Sequence, residues 1–156
     1  MAKKEKNNYI NNKDFYAEMT KYKKLPKKRK VISNYIGECI LLICNGLAKR
    51  PNFSGYTYID EMVSDGIENC IMAVNSFNPD KSKNAFGYFN KIAWWAFVRR
   101  IQSEKKQAYI KHKNVQNYYI QGKLESVAGN ILSEKVISDF EEKIKEKKKK
   151  QEVSNE

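Results

Sequence analysis

Between Val31 and Lys49 the residues Ile32, Tyr35, Ile36, Cys39, Ile40, Ile43 and Leu47 recur at steps of three and four. That is the period of an α-helical turn, so the spacing places them on one stripe, and a stripe this apolar has to be covered by other parts of the chain. Similar spacing returns three more times. Phe15, Met19 and Tyr22 predict a short helix from Lys13 to Lys24, stopped by Leu25-Pro26. Val63, Ile67, Cys70, Ile71 and Val74, closed by Phe77, predict a helix over about 60–77, which Asp60 is placed to cap. Val136, Ile137, Phe140 and Ile144 predict a last one from about Ser133 to Lys147. No series of alternating apolar and polar runs argues for a sheet. The fold class expected is therefore all-α, a compact bundle of three or four helices with polar ends. Ser33, or Ile32 beside it, marks the start of the second helix; 51–58 (PNFSGYTY) is a loop with three aromatic residues, and 78–84 is a turn-rich connector.

Length allows about one domain with a real core, at 156 residues. The organisation expected is a basic arm and short helix over 1–24, the arm itself disordered to residue 12, then a helical domain over 25–123, then a C-terminal helix and charged tail over 124–156. Gly122 and Gly129 punctuate a weaker segment before that last helix.

Charge is arranged in blocks. The net +12 divides into +8 over 1–30, −4 over 31–80, +9 over 81–123 and −1 over 124–156. Such a balance suits a polyanionic partner better than an acid-binding pocket. No run of about 18 apolar residues is long enough to span a membrane, and MAKKEKNNY is followed by polar residues rather than by an apolar signal core. Cys39, Cys44 and Cys70 form no CxxC pair and sit among aliphatic residues, as core thiols in a reducing cytoplasm do. His112, the only histidine, has no second ligand near it in sequence, so no metal or other cofactor is expected. No phosphate-cradling glycine loop or Ser/His/Asp set is present either, and nothing in the residues argues for catalysis.

The stretch from Ala85 to about Ala108 or beyond, with Asn84 as its cap, carries more large rings than one buried stripe needs. At about 100° per residue, Phe86, Phe89, Ala93, Ala96, Phe97 and the stem of Arg100 share a core face, and Tyr88, Lys91, Trp95, Arg99 and Gln102 lie opposite. Trp94 falls on a flank near Val98 and Ile101. Rings and cations on one exposed face suit nucleic acid, because cations neutralise phosphates and rings stack on unpaired bases. The competing arrangement is that a further helix, such as 31–49, packs over Trp95.

Asp65-Gly66 followed by Ala73-Val74-Asn75-Ser76-Phe77, then Phe86-Gly87-Tyr88-Phe89, Ala93, Trp95 and Arg99-Arg100-Ile101, resembles the second conserved region of bacterial sigma factors, the part that opens promoters. The likeness is closest to the small, divergent late-gene sigma factors of T-even-like bacteriophages. Their order of LPxKR, PNFxxYTY, DGIENC, FNP, FxYF and RRIQxEKKQ is met here at Leu25, Pro51, Asp65, Phe77, Phe86 and Arg99. It covers residues 25–115, about 60% of the chain. The family's tryptophan pair is matched imperfectly: Trp95 takes the first ring's place, Ala96 the second's, and Trp94 stands one position early, which leaves one ring or two for the melted strand. No helix-turn-helix follows Lys123.

The resemblance implies an RNA polymerase specificity subunit with no catalytic residues of its own, acting in the cytoplasm of an infected bacterium. Glu61, Asp65, Glu68, Asn69 and Met72 would dock on a basic coiled coil of the beta-prime subunit of bacterial core polymerase. Promoter DNA would be held at its phosphates by Arg100, Lys105, Lys106, Lys111 and Lys113. Tyr88, Lys91 and Trp95, with Trp94 beside them, would meet unpaired bases, and Arg99 and Gln102 would read base edges. Further partners in that family are a late co-activator and the sliding clamp, reached through a short apolar and acidic end segment. The closing QEVSNE has no such character, so either the chain is cut short, or Val136–Phe140 does that work, or clamp docking is absent. The alternative, a single-stranded DNA or RNA binding module that needs no polymerase, accounts for Tyr88, Trp95 and the lysines but leaves the acidic face idle.

Overall fold

The computed structural model describes residues 10–26, 31–120 and 134–146, and among them all regular structure is helical. The helices are α1 (Asn12–Lys24), α2 (Asn34–Ala48), α3 (Ile59–Ala73), α4 (Ala85–Ile120) and α5 (134–146), with one 3₁₀ turn at Val74–Ser76. The all-α expectation holds. The chain divides into two compact units, Met1–Arg100 and Ile101–Glu156, each taken separately below. Expectations for residues 1–9, 27–30, 121–133 and 147–156, which include most of the basic arm, the Gly122–Gly129 segment and the tail, lie outside the described residues.

In the first unit α1 belongs to the core, although sequence grouped it with the basic arm. Asn11 caps it by accepting from the Lys13 N–H at 3.0 Å, and Phe15, Met19 and Tyr22 are buried. Its far side is tied to the segment after α3: the Tyr22 hydroxyl donates to Asn75 Oδ1 at 2.9 Å and Tyr16 donates to the Pro79 carbonyl at 3.1 Å. Ser33 caps α2, and Ile36, Cys39, Ile40, Ile43, Cys44 and Leu47 are buried. Tyr35, expected on this stripe, stands at its edge and is exposed, and partial burial beside Cys39 raises its phenol above the ordinary value.

Two expectations for α3 are corrected. Tyr58, not Asp60, occupies the cap position and makes no side-chain cap bond; Asp60 lies with Glu61 in the first turn, where carboxylates favour the positive end of the helix. The buried stripe runs through Met62, Gly66, Cys70 and Val74, while Ile71 is exposed. The reason is Gly66. A Cβ there would stand 2.9 Å from Cε1 of Phe97 and 3.2 Å from Sγ of Cys44, so side chains of α4 and α2 pack directly against the backbone of α3 at its one position without a side chain. A reading that follows apolar side chains passes over it.

Helix α4 begins as expected: Asn84 Oδ1 accepts from the Gly87 N–H at 2.8 Å. It runs on to Ile120 because, after Gly87 in its first turn, neither Gly nor Pro interrupts it before Gly122. Ala85, Phe89, Ala93, Ala96 and Phe97 are buried. Phe86, expected in the core, is 37% exposed, because Ala85 rather than Phe86 continues the stripe below Phe89. Rings form the centre of the unit: Phe89 lies 5.4 Å from Phe15 and 6.1 Å from Phe77, and Phe53 from the 51–58 loop meets Phe97 at 5.1 Å. All three cysteines are free and buried.

In the second unit the remainder of α4 pairs with α5. Tyr109 stacks on Phe140 at 4.7 Å, and Ile137 is buried. Glu141 accepts from the Tyr109 hydroxyl at 3.4 Å and pairs with Lys113 at 3.8 Å. Ile144 is exposed near the end of that stripe.

Candidate interface on helices α3 and α4

The buried alanines of α4 bring its backbone close to the core and so turn the other side of the helix outward. On that side Trp95 is 51% exposed and Lys91 and Arg99 are exposed. Among the described residues no helix covers Trp95: it borders a shallow groove of about 450 Å³ that it shares with Arg99, Ile92, Asn69, Met72, Ala73 and Ser76. The groove therefore has one aromatic wall, a small apolar floor, and amide, hydroxyl and guanidinium groups at its edge. Ile92, Ala73 and Ser76 were not anticipated; Ile92 was legible as the residue one turn before Trp95.

The other rings are placed differently. Trp94 is half-buried, with its ring edge-on to Phe53 at 4.8 Å, so it closes the 51–58 loop over the core. Tyr88, expected opposite Phe89, is half-buried and meets both Phe77 and Phe89 edge-to-face at 5.1 Å. Burial raises its phenol above the ordinary value, so it stays neutral. Phe77 closes the end of α3 and reaches around Phe89, giving Tyr88 an apolar surface that a helical wheel of α4 alone does not show.

The five residues assigned to the α3 face are not alike. Glu61, Glu68 and Met72 are exposed, Met72 at 62%. Asp65 and Asn69 are half-buried and turned toward α4. Arg100 reaches Asp65 through two bonds, Nε to Oδ2 at 2.7 Å and Nη2 to Oδ1 at 2.8 Å. One turn along, Arg99 donates from Nη2 to Asn69 Oδ1 at 2.7 Å. Two residues from each sequence-derived set thus meet, and the acidic face and the ring-and-cation face form one continuous surface within the first unit. In the second unit Gln102, Lys105, Lys106 and Lys111 are exposed, and Lys113 is half-buried against Glu141.

Among the described residues no group of three or more His, Cys, Asp or Glu side chains is placed to hold a metal ion, and no helix is long and apolar enough to cross a membrane. No protein-family model matches the chain, and no curated protein matches it.

Proposed function

We propose that the chain is a sigma-like specificity factor that binds bacterial core RNA polymerase and recognises and melts the minus-ten-like element of phage late promoters. The observation that carries this reading is Trp95, a half-exposed indole on the outward side of α4, beside Arg99 and a groove lined by polar groups. Stacking one base on an aromatic ring contributes about 1–3 kcal/mol, while unstacking one base-pair step costs about 1–2 kcal/mol. A single ring of this kind is therefore enough to hold one or two steps open. Binding energy does the work, and no bond in the nucleic acid is made or broken.

In this reading Glu61, Glu68 and Met72 meet the basic coiled coil of the beta-prime subunit, with Asp65 and Asn69 at the margin of the contact. Acid against base at that face orients the encounter more than it tightens it. Duplex phosphates fall first to Lys105, Lys106 and Lys111, since Arg100 and Lys113 already hold carboxylates. Run-off transcription with bacterial core enzyme on phage late-promoter templates tests the proposal. Transcripts that require the added chain support it; their absence, with a core preparation active with its own specificity factor, counts against it.

A second reading, a single-stranded DNA or RNA binding module with no polymerase partner, is favoured by one observation. Asp65 and Asn69 have structural partners in Arg100 and Arg99, so the α3 face needs no external partner to explain them. Co-purification with core polymerase separates the two readings.

A further inference from the structure

On the side of the first unit formed by α1 and α2, a cleft of about 240 Å³ lies between Ile10 at the entry to α1, the C-terminal half of α2, and the first turns of α4. Its floor is Ile43 and Leu47, both buried. Its rim is Leu42 and Phe86, which stay 36% and 37% exposed. Gly46 leaves the wall of α2 open, with nothing within 4 Å of where a Cβ would stand.

Phe86 is held in place. Its N–H donates to Asn12 Oδ1 at 3.0 Å, and the Asn84 cap fixes the same turn. This is a position where helical periodicity calls for burial and the fold instead fixes a large ring at a water-facing edge; departures of that kind collect at binding sites.

The charge that lines the cleft among the described residues is positive. Among the described residues Arg50 is the only ionic one lining it, and Lys49 precedes it at the same helix end. The nearest carboxylates of α1, Asp14 and Glu18, act on Tyr35 at the opposite end of α2. Among the described residues no side-chain hydrogen bond or ion pair engages Arg50 or Asn90, the polar groups at the edge.

We propose that this cleft docks a short peptide segment of a partner protein, carrying one large apolar anchor side chain flanked by carboxylates. The volume suits one or two side chains rather than a whole helix, and charge complementarity selects an acidic flank. A second copy of the chain is disfavoured, because a self-complementary contact would bring Arg50 and Lys49 toward their own counterparts.

The test uses the full chain and a library of random eight-residue peptides displayed on yeast, with neither DNA nor polymerase present, so its outcome is independent of the function proposed above. Enrichment of peptides with Leu, Ile, Phe or Met beside Asp or Glu is expected. Capture of those peptides should fall at least tenfold for Phe86→Ser and for Arg50→Glu, both surface changes, with far-UV circular dichroism unchanged. No enrichment, enrichment without carboxylates, or equal capture by both variants overturns the proposal. Concentration-dependent dimerisation that Phe86→Ser abolishes would assign the cleft to a second copy and overturn it as well.

Discussion

Arg100 holds Asp65 through two parallel bonds of 2.7 and 2.8 Å, joining α4 to α3 across 35 positions of sequence. Both side chains keep about 30% of their surface in water, at 30% and 28%, so the pair is neither a screened surface contact nor a buried ion pair. Fork-to-carboxylate geometry places it toward the stronger end of partly exposed pairs. Asp65→Ala and Arg100→Ala should each destabilise the protein by about 1–2 kcal/mol. In a double-mutant cycle followed by urea unfolding, the double variant should lose clearly less than the sum of the two. Full additivity would show that the pair contributes nothing.

Gly66→Ala tests the close approach of α3. Helix propensity favours alanine by about 1 kcal/mol, but its Cβ would stand 2.9 Å from the ring of Phe97, which is fully buried and has no room to swing away. Overpacking of that kind costs about 1–3 kcal/mol. The variant should melt at a lower temperature than the parent, with its helical signal retained below the transition. A higher melting temperature would mean that α3 and α4 do not meet at this position.

The adjacent indoles should separate by assay. Trp94→Ala removes the edge-to-face contact with Phe53 and should lower stability by about 2–4 kcal/mol. Trp95→Ala should change it by about 0.5 kcal/mol or less, as surface substitutions do. Equal losses at both positions in thermal unfolding would contradict the division of roles between them.

Much of this was legible in the chain because helical periodicity is local. The apolar steps through Ile36, Ile40, Ile43 and Leu47, the Ser33 and Asn84 caps, and the buried Phe89, Ala93, Ala96 and Phe97 follow from positions one turn apart. What escaped depends on packing between elements. The α3 stripe passes through Gly66, whose contribution is the absence of a side chain. Tyr88 turns inward because Phe77, from another segment, offers it an apolar surface. Asp65 and Arg100 were assigned to separate faces because nothing within either helix shows that the two helices bring them together. The exposure of Trp95 was readable from its own helix, since it follows from the buried stripe opposite.

Docking on polymerase is best tested at exposed carboxylates of α3 that no hydrogen bond or ion pair engages among the described residues. The double substitution Glu61→Lys with Glu68→Lys, both exposed, should reduce co-purification with core polymerase at least tenfold while leaving thermal stability within about 0.5 kcal/mol of the parent. Raised salt should weaken the parent complex in the same direction. Undiminished co-purification would favour the polymerase-independent reading.

The central claim is that the exposed indole of Trp95 traps unpaired bases, and permanganate footprinting of a late promoter with core polymerase and Trp95→Ala tests it most directly. The account predicts that the variant complex still binds the duplex, with thymine reactivity in the promoter reduced at least tenfold. Thymine reactivity equal to that of the parent would contradict it.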